Sequence, residues 1–382
     1  MAQLFSPLIE VVEPAKISFV DPTVNLVGTT KFDHSSPSKS ILITGAAGFI
    51  ASWLTRHLVI HYPSYNIIAL DKLSYCSSLQ NLSCLRPYSN FSFVQASTTS
   101  LDTLVDILKT HSVDTIIHAA AQSCVDLSFN SPSAFIEDNV LGTQTLLEAA
   151  RLHKIRLFLH VSTDEVYGEA EDGVAARESD RLRPTNPYAA SKAAAEMFVH
   201  AYWKSYGVPV VVVRCNNVYG PGQFPEKAIP KFNLLLNSGE KVTIMGDGTH
   251  CRRYLYVADA VNALDTVLHR GELGETYNID SEDELTTLDL AISIFRALHI
   301  NGDHNDFYKE HVQWIPDRPY HDLRYEVDGS KLRSLGWKQE TKISDGLIAT
   351  IDWYRKFGDQ WWGQMYLDDK TTYQRRSTSV SL

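Results

Sequence analysis

The sequence lacks the marks of several large classes of protein. Its 382 residues include five scattered cysteines, an odd number without CxxC or Cys/His spacing, which predicts reduced thiols and no metal site. No apolar run is long enough to cross a bilayer, and the first ten residues show no basic segment followed by an apolar one. We therefore expect a cytoplasmic protein with no membrane partner.

Basic residues are outnumbered. The chain has 35 basic and 45 acidic side chains and a formal net charge of −10, which disfavours nucleic acid or an anionic membrane as a partner. This total still allows a local basic pocket for a phosphate. The length exceeds one ordinary core, so we expect two domains, or one large domain with a lobe.

The segment from Ile41 has the pattern of a nucleotide-binding turn. The predicted buried strand Ile41–Gly45 leads through glycines into a helix whose apolar residues keep helical spacing. Gly45 permits the tight turn, and Gly48 lets the N–H groups at the helix start approach a pyrophosphate. Phe49 and Ile50 open that helix.

A second predicted strand, Tyr65–Asp71, ends in an acid. A carboxylate there can hydrogen-bond the adenosine ribose and repels a 2′-phosphate, so Asp71 favours NAD over NADP. The neighbouring cation Lys72 could soften that repulsion.

Strands and helices then alternate. Further strands are predicted at 91–96, 115–121 and 209–214, with helices at 101–108, 134–151 and 188–206. Such alternation predicts an α/β fold, a doubly wound parallel sheet of the Rossmann type.

Two adjacent carboxylates follow another predicted strand, Arg156–Val161. Asp164 and Glu165, with Thr163 before them, lie just past the carboxyl end of that strand, and this is the edge where open α/β sheets bind ligands. Solvated loop charges are the plain alternative for both acids.

Tyr188 and Lys192 are four residues apart in the predicted helix Tyr188–Tyr206, so both side chains lie on one face. Together with the upstream nucleotide fold, this pair and the two carboxylates predict redox and acid/base chemistry in one pocket. A chance helix pair is the alternative for Tyr188 and Lys192.

The composition becomes polar and rich in turns after Asn217, which predicts a smaller mixed α/β substrate-binding lobe. The predicted organisation has four parts: a flexible N-terminal extension at 1–38, an NAD-binding Rossmann domain at 39–215 with pieces returning near 252–280, the substrate-binding lobe at 216–251 and 281–367, and a polar tail at 368–382.

These motifs resemble, in order, those of the extended short-chain dehydrogenase/reductases that act on nucleotide sugars. Within them the chain is most similar to the nucleoside-diphosphate-glucose 4,6-dehydratases. The residues of its motifs are most similar to those of the eukaryotic UDP-glucose enzymes that begin UDP-rhamnose synthesis. The resemblance covers residues 40–365 and is carried by these segments: 45–50, 70–82, 162–168, 188–192, 217–227 and 317–325.

The resemblance implies NAD as cofactor and a set of residues that hold it. This set is Gly45, Gly48, Phe49, Ile50, Asp71, Lys72, Ala119, Ala121, Tyr188 and Lys192. It also implies a set of residues that contact the nucleotide sugar. This second set is Gln122, Asn217, Glu226, Lys227, Arg252, Asn278, Arg318, His321 and Arg324.

The catalytic roles are likewise implied by the resemblance. Tyr188, favoured as a phenolate by Lys192 and by the positive nicotinamide, would act as the base for the C4 hydroxyl, and Thr163 would hydrogen-bond the C4 oxygen or Tyr188. Glu165 would remove the C5 proton, and a protonated Asp164 would donate to the leaving C6 hydroxyl.

The family further implies a homodimer formed through the helices at 134–151 and 188–206, and a separate epimerase/reductase downstream. The chain departs from the family pattern at Ala51, which replaces glycine, and at Cys124 and Leu127, which replace a histidine and a polar residue. It also departs in one cofactor segment, where Ala96-Ser97-Thr98 replaces Gly-Asp-Ile. The usual acid contact to adenine must therefore be remade or lost.

Two other functions compete with dehydration. A nucleotide-sugar 4-epimerase or decarboxylase shares the cofactor half and the Tyr/Lys pair, but a simple epimerase does not need Asp164 and Glu165. A dinucleotide-sensing Rossmann protein without activity typically loses the tyrosine or the lysine. The sequence leaves open the choice between uracil and thymine, and whether inversion at C5 follows.

Overall fold

The computed structural model describes Thr23 and residues 25–33, 39–171, 173–298 and 304–377, with side chains described except at 304–306, 359 and 363–377. Most of the predicted extension at 1–38 lies outside the described residues. The described part lies against the domain, since the Thr29 N–H donates to Asn262 Oδ1 at 2.8 Å and the Leu26 carbonyl accepts from Arg56 Nε at 2.9 Å.

Seven parallel strands form the central sheet, in the order β3-β2-β1-β4-β5-β6-β10. Their runs are largely buried, as expected when helices cover both faces of a parallel sheet. The strands are β1 Ser40–Thr44, β2 Asn66–Asp71, β3 Phe91–Gln95, β4 Thr115–His118, β5 Leu157–Thr163, β6 Val210–Cys215 and β10 Thr276–Ile279. The predicted Rossmann sheet is confirmed.

Helices pack on both faces of this sheet. On one face α1 (Phe49–His61) packs with α8 (Val257–Arg270). On the other face α2 (Leu101–Thr110) and α6 (Pro187–Tyr206) both pack with α5 (Gly142–His153). The short helix Leu79–Leu85 lies beside α1.

The single helix predicted over 134–151 is interrupted. After α3 (Val125–Asn130), α4 spans Pro132–Phe135, and a wide π turn at Ile136–Leu141 precedes α5. The π turn carries Asn139, whose Nδ2 donates to the Gln122 carbonyl at 3.0 Å and to Ser191 Oγ at 2.8 Å. These tertiary contacts are made where the helix widens into the π turn. The spacing of apolar residues alone does not reveal this turn.

A second, smaller layer forms the predicted lobe. It has a three-stranded sheet in the order β11-β9-β7 and a parallel pair of β8 and β12. Its strands are β7 Asn217–Tyr219, β8 Val242–Met245, β9 Cys251–Tyr256, β11 Glu284–Thr286 and β12 Val312–Ile315. Its helices are α7 Ala228–Asn237, α9 Thr287–Ala297, α10 His304–Glu310 and α12 Ile343–Ser377. The short helix α11 (Ser330–Ser334) packs instead against β10 of the central sheet.

Helix α12 extends into the segment predicted as a polar tail at 368–382, since it continues to Ser377. Residues 378–382 lie outside the described part. Among the helices that the structure describes, none is both long enough and apolar enough to cross a membrane.

Candidate active site

The carboxyl ends of the central strands open onto one cavity. All five predicted catalytic residues line it, together with all predicted cofactor residues and four of the predicted substrate residues, Gln122, Asn217, Glu226 and Lys227. The predicted nucleotide turn and the predicted acid/base cluster therefore lie at one site.

The start of α1 suits a pyrophosphate. Its N-cap, Gly48, has no side chain to cap the helix, so the N–H groups of the first turn face the cavity without that competitor. Gly45 has φ +70°, and a Cβ there would lie 2.8 Å from the Ala120 backbone. Only glycine fits this turn.

Asp71 is held in place at the end of β2. Its Oδ2 accepts from the Ala47 N–H at 3.0 Å and its Oδ1 from the Leu73 N–H at 2.7 Å, and burial raises the pKa of this carboxyl. The carboxylate is thus oriented by its own loop beside the cavity, where a ribose would meet it.

Lys72 is neutralised by a residue that sequence reasoning missed. Its Nζ lies 2.6 Å from both carboxylate oxygens of Asp138, and Gln122 Nε2 donates to Asp138 Oδ2 at 2.8 Å. Asp138 belongs to the π turn, which lies within a segment predicted as a regular helix. The sequence pattern therefore did not indicate its contact with Lys72.

The segment that departs from the family pattern borders the same cavity. Ala96 and Thr98 line it, and Ser97 Oγ is bonded to Thr99 Oγ1 at 2.9 Å. Ala96-Ser97-Thr98 offers hydroxyl groups and no carboxylate at this position, so an acid contact to adenine is lost from this segment.

Asp164 is a buried carboxyl with two hydrogen-bond donors. Asn216 Nδ2 donates to its Oδ2 at 2.7 Å and Thr163 Oγ1 donates to its Oδ1 at 3.1 Å, while only 3% of the side chain is exposed. Burial, reinforced by the charge of Glu165, raises the pKa of Asp164 to about 7. Asp164 can therefore hold a proton near neutral pH.

Glu165 sits in a different environment, only partly buried. Its Oε2 accepts from Asn186 Nδ2 at 3.1 Å and from the Tyr325 hydroxyl at 3.4 Å. Asn186 also caps α6, since its Oδ1 accepts from the Ala189 N–H at 2.9 Å. Asparagine directly before a proline is a recognisable pattern for the N-cap of a helix. This pattern was the one feature of the sequence that could have identified Asn186.

Tyr188 and Lys192 both line the cavity and are both buried. Lys192 Nζ donates to the Val161 carbonyl at 2.7 Å, and burial lowers its pKa to about 8. Burial and the charge of Glu165 raise the pKa of Tyr188, although a hydrogen bond with Thr163 opposes that shift. The residues of the chain do not favour a phenolate without the charge of the cofactor, and the role of Lys192 beside a bound cofactor stays a prediction.

Lys227 and Glu226 reach the cavity from the other side. Lys227 Nζ donates to the Ser123 carbonyl at 2.6 Å and lies 3.4 Å from Glu226 Oε1. The Tyr75 hydroxyl donates to Glu226 Oε2 at 2.7 Å, which links the lobe to the segment after β2. Tyr75 was not singled out in the sequence.

Five predicted substrate residues do not line this cavity. Asn278 is fully buried, and its side chain binds the Tyr167 hydroxyl and two backbone carbonyls, so it serves the fold. Arg324 pairs with Glu284, Nε to Oε1 at 2.6 Å.

The remaining three have partners of their own: Arg252 lies on β9, and Arg318 and His321 lie in the segment after β12. Arg318 Nε is 2.6 Å from Asp126 Oδ1, and the guanidinium of Arg252 lies 4.5 Å from the centre of the Tyr325 ring. His321 contacts Asp317, Nδ1 to Oδ1 at 2.7 Å. Their predicted contacts with substrate stay predictions.

The fold and the site together define the class. A doubly wound sheet, an uncapped helix start and a Tyr/Lys pair beside a Thr-Asp-Glu turn are the parts of an extended short-chain dehydrogenase/reductase. More narrowly, the chain belongs to the family described as GDP-mannose 4,6 dehydratase, whose sequence model matches residues 42–350.

Relatives with assigned names fall within the same family. A trifunctional UDP-glucose 4,6-dehydratase/UDP-4-keto-6-deoxy-D-glucose 3,5-epimerase/UDP-4-keto-L-rhamnose-reductase of Arabidopsis thaliana is 46% identical over 87% of the chain, which spans 49% of that protein. The chain thus spans about half the length of this plant relative. The dTDP-D-glucose 4,6-dehydratase of Bos taurus is 43% identical, with 85% of the chain and 91% of the relative covered.

A solved structure agrees with the fold described above. The dTDP-glucose 4,6-dehydratase of Streptomyces venezuelae, crystallised with NAD, is 38% identical and superposes with a TM-score of 0.80 over 85% of this chain and 99% of its own. The similarity covers both the sheet and the lobe.

The raised pKa of Asp164 predicts a pH-dependent stability. Between its usual value of 3.8 and about 7, the folded state holds a proton that the unfolded state has released, so stability falls as pH rises through this window. The loss is on the order of 4 kcal/mol. Urea unfolding of the wild type and Asp164→Asn at about pH 4, 5.5 and 7.5 measures it.

All other titrating groups are shared, so the difference between the two proteins isolates Asp164. We expect the free energy of unfolding of the wild type to fall relative to that of Asp164→Asn as pH rises. Parallel profiles would contradict the buried, protonated Asp164.

Proposed function

We propose that the chain is an NAD-dependent nucleoside-diphosphate-glucose 4,6-dehydratase that acts on UDP-glucose or dTDP-glucose, as the first step toward rhamnose or another deoxysugar. The observation that carries this proposal is the pair of carboxyl groups beside Tyr188: Asp164 is buried and able to hold a proton, and Glu165 is partly exposed. Elimination of water needs one proton donor and one acceptor beyond those of a simple oxidation.

NAD fits the residues of the cofactor half. The uncapped start of α1 would bind its pyrophosphate and Asp71 its ribose, and both line the cavity. When bound, it would accept hydride from C4 and return it to C6, so that it need not leave between turnovers.

The base for the C4 hydroxyl is Tyr188. Because the chain alone raises the pKa of this tyrosine, its deprotonation depends on positive charge brought into the cavity with the cofactor. Lys192, on the same helix face and also lining the cavity, would hold the ribose side of the cofactor while its ammonium adds to that charge.

The elimination is carried by the neighbouring acids. With C4 as a ketone, the C5 proton becomes acidic and Glu165 removes it, while Asp164 donates its proton to the C6 hydroxyl, which leaves as water. The C4 ketone remains, C6 gains the hydride, and C5 regains a proton from Glu165. Tyr188 then releases the proton that it took from the C4 hydroxyl and Asp164 takes up one proton, so the net change is the loss of one water.

The relatives support both nucleotides. The plant relative named for UDP-glucose is 46% identical and the bovine relative named for dTDP-glucose is 43% identical, so UDP-glucose is the first substrate to test. In this proposal the 4-keto-6-deoxy product passes to a separate epimerase/reductase site.

The direct experiment incubates the purified chain separately with UDP-glucose, dTDP-glucose and UDP-glucuronate, with and without added NAD, and follows the sugar nucleotides by mass spectrometry. We expect a product one water lighter that exchanges oxygen with labelled water at its new ketone. A product of equal mass would mean epimerisation, loss of carbon dioxide from UDP-glucuronate would mean decarboxylation, and bound dinucleotide without turnover would favour a sensor.

Glu165→Gln separates oxidation from elimination. We expect turnover to fall by at least about 10²-fold, because the base for C5 is removed. Oxidation at C4 should still proceed, so reduced cofactor should accumulate and be visible by its absorbance. The matched control is Glu169→Gln, an exposed glutamate four residues on, which should behave as wild type. Equal activities of the two variants would contradict the assigned role.

We infer that the protein acts in the cytoplasm as a homodimer, with a second copy covering the outer faces of α5, α6 and the π turn before α5. Large apolar side chains are exposed on these neighbouring elements, among them Ile136 (59%), Leu141 (47%), Met197 (55%) and Phe198 (40%). Such a patch on adjacent helices favours a self-complementary interface. No disulfide joins the cysteines in the described part of the chain, which supports a reducing compartment.

Met197→Lys tests this interface. A charge at the centre of an apolar helix contact should shift the protein from dimer to monomer, as measured by sedimentation velocity. The matched control, Ile348→Lys, places the same charge at an equally exposed apolar position (52%) on α12 and should remain dimeric. A monomeric wild type, or an unchanged dimer in Met197→Lys, would contradict the interface.

A further inference from the structure

Asn81 joins parts of the chain that lie far apart in sequence, directly behind the nucleotide-binding turn. It belongs to the short helix Leu79–Leu85, and only 2% of it is exposed. Its Nδ2 donates to the Ala47 carbonyl at 2.8 Å, and its Oδ1 accepts from Trp361 Nε1 of α12 at 2.9 Å. Its backbone carbonyl accepts from Arg56 of α1. One buried side chain therefore links the last helix of the chain to the turn between β1 and α1.

Ala47 is the residue of the turn through which this link can reach the cofactor. Its N–H donates to Asp71 Oδ2 at 3.0 Å, and its carbonyl also accepts from the Ser78 N–H at 3.0 Å. It directly precedes Gly48, the N-cap of α1. The orientation of this part of the backbone therefore affects both the first N–H groups of α1, which would face the pyrophosphate, and the carboxylate that would meet the ribose.

The indole of Trp361 determines which way the amide of Asn81 points. An indole N–H can only donate a hydrogen bond, so the amide oxygen must face the indole and the NH₂ group must face Ala47. A flipped amide would direct its oxygen at the Ala47 carbonyl and its NH₂ group at the indole N–H, and both contacts would be repulsive. Without the indole N–H, the buried Oδ1 of Asn81 loses this donor and the amide loses this constraint.

The surroundings of Trp361 supply a matched comparison. Trp361 and Trp353 lie in one buried aromatic cluster, with ring centroids 5.3 Å apart and planes at 73°. Phe224, which lines the cavity, belongs to the same cluster. Trp353 Nε1 is buried and has no hydrogen-bond partner among the described residues. The two indoles therefore share one environment but differ in the hydrogen bond to Asn81.

This link lies partly outside the region that defines the family. The family model matches residues 42–350, and Trp361 lies beyond its end. Within the matched region, Ala96-Ser97-Thr98 has lost the acid that contacts adenine in the family pattern. A contact that holds the turn from behind would stabilise the cofactor site at a different place.

We propose that Trp361 is a positioning residue for the cofactor, and that through Asn81 it holds the turn at Ala47 in the geometry that binds NAD. Neither Trp361 nor Asn81 lines the cavity, so both act through the turn. The inference rests on the NAD dependence of the proposed function, but it concerns retention of the cofactor and not the elimination of water.

The test follows the release of NAD from the full-length protein. The wild type and each variant are loaded with isotope-labelled NAD, and loss of the label is measured during a chase with unlabelled NAD. We expect Trp361→Phe to release NAD at least about fivefold faster than the wild type, because it leaves a buried acceptor unpaired. Trp353→Phe removes the same atoms from the same cluster without breaking a hydrogen bond, and its release rate should stay within about twofold of the wild type.

A double variant tests the route through Asn81. We expect Asn81→Ala to release NAD faster than the wild type, and the addition of Trp361→Phe to cause no further increase, because residues that act as one unit have non-additive effects. If Asn81→Ala does not fold, Asn81→Asp takes its place, since it keeps an acceptor for the indole and loses the donor to Ala47.

The outcomes separate this inference from the proposed function. A wild type that retains NAD, with equal release rates in Trp361→Phe and Trp353→Phe, would overturn the inference alone, and additive effects in the double variant would do the same. A wild type that binds no NAD would overturn both the NAD-dependent function and the inference. Neither readout requires turnover, so failure of the dehydration assay would leave the comparison of release rates intact.

Discussion

The burial of Asp164 is the constraint on which the proposed chemistry depends, because burial raises the pKa of this carboxyl, while the hydrogen bond from Asn216 lowers it and fixes the carboxyl in place. Asn216 Oδ1 accepts from the Ser281 N–H at 2.8 Å, which fixes the amide so that its Nδ2 donates to the carboxyl of Asp164. Asp164, Asn216 and Ser281 follow three adjacent strands, β5, β6 and β10. The register of the sheet thus sets the environment of a single acid.

That environment divides the work between two consecutive residues. Asp164 points into the protein, where burial raises its pKa to about 7, while Glu165 stays partly exposed under Asn186 and Tyr325. Both residues lie in a short 3₁₀ turn at Asp164–Tyr167, in which consecutive side chains point in different directions. Neighbours in sequence can in this way serve as acid and base in one elimination.

The sequence predicted the parts of the molecule that local pattern determines. Buried runs such as Val210–Cys215 and the glycine turn at Gly45 are set by hydrophobicity and backbone sterics, and the structure has both where expected. Asn216 and Asp138 could not be found, because their roles arise from contacts with residues distant in the chain. The carbonyl partner of Lys192, Val161, was hidden for the same reason.

The substrate arginines show the same limit. Residue type and motif pointed to Arg252 and Arg318, but the structure gives each a partner within the chain: the Tyr325 ring for one and Asp126 for the other. A diphosphate that engages Arg318 must compete with Asp126. These partners are set by contacts between distant parts of the chain, which no spacing in the sequence expresses.

The most direct test of this account observes the proton on Asp164. A ¹³C NMR titration of protein labelled at the aspartate carboxyl carbons would follow each acid separately. We predict one resonance with a midpoint near pH 7, absent from the spectrum of Asp164→Asn. If the resonance missing from the variant instead titrates near the ordinary aspartate value of about 4, Asp164 is ionised at neutral pH and cannot be the proton donor.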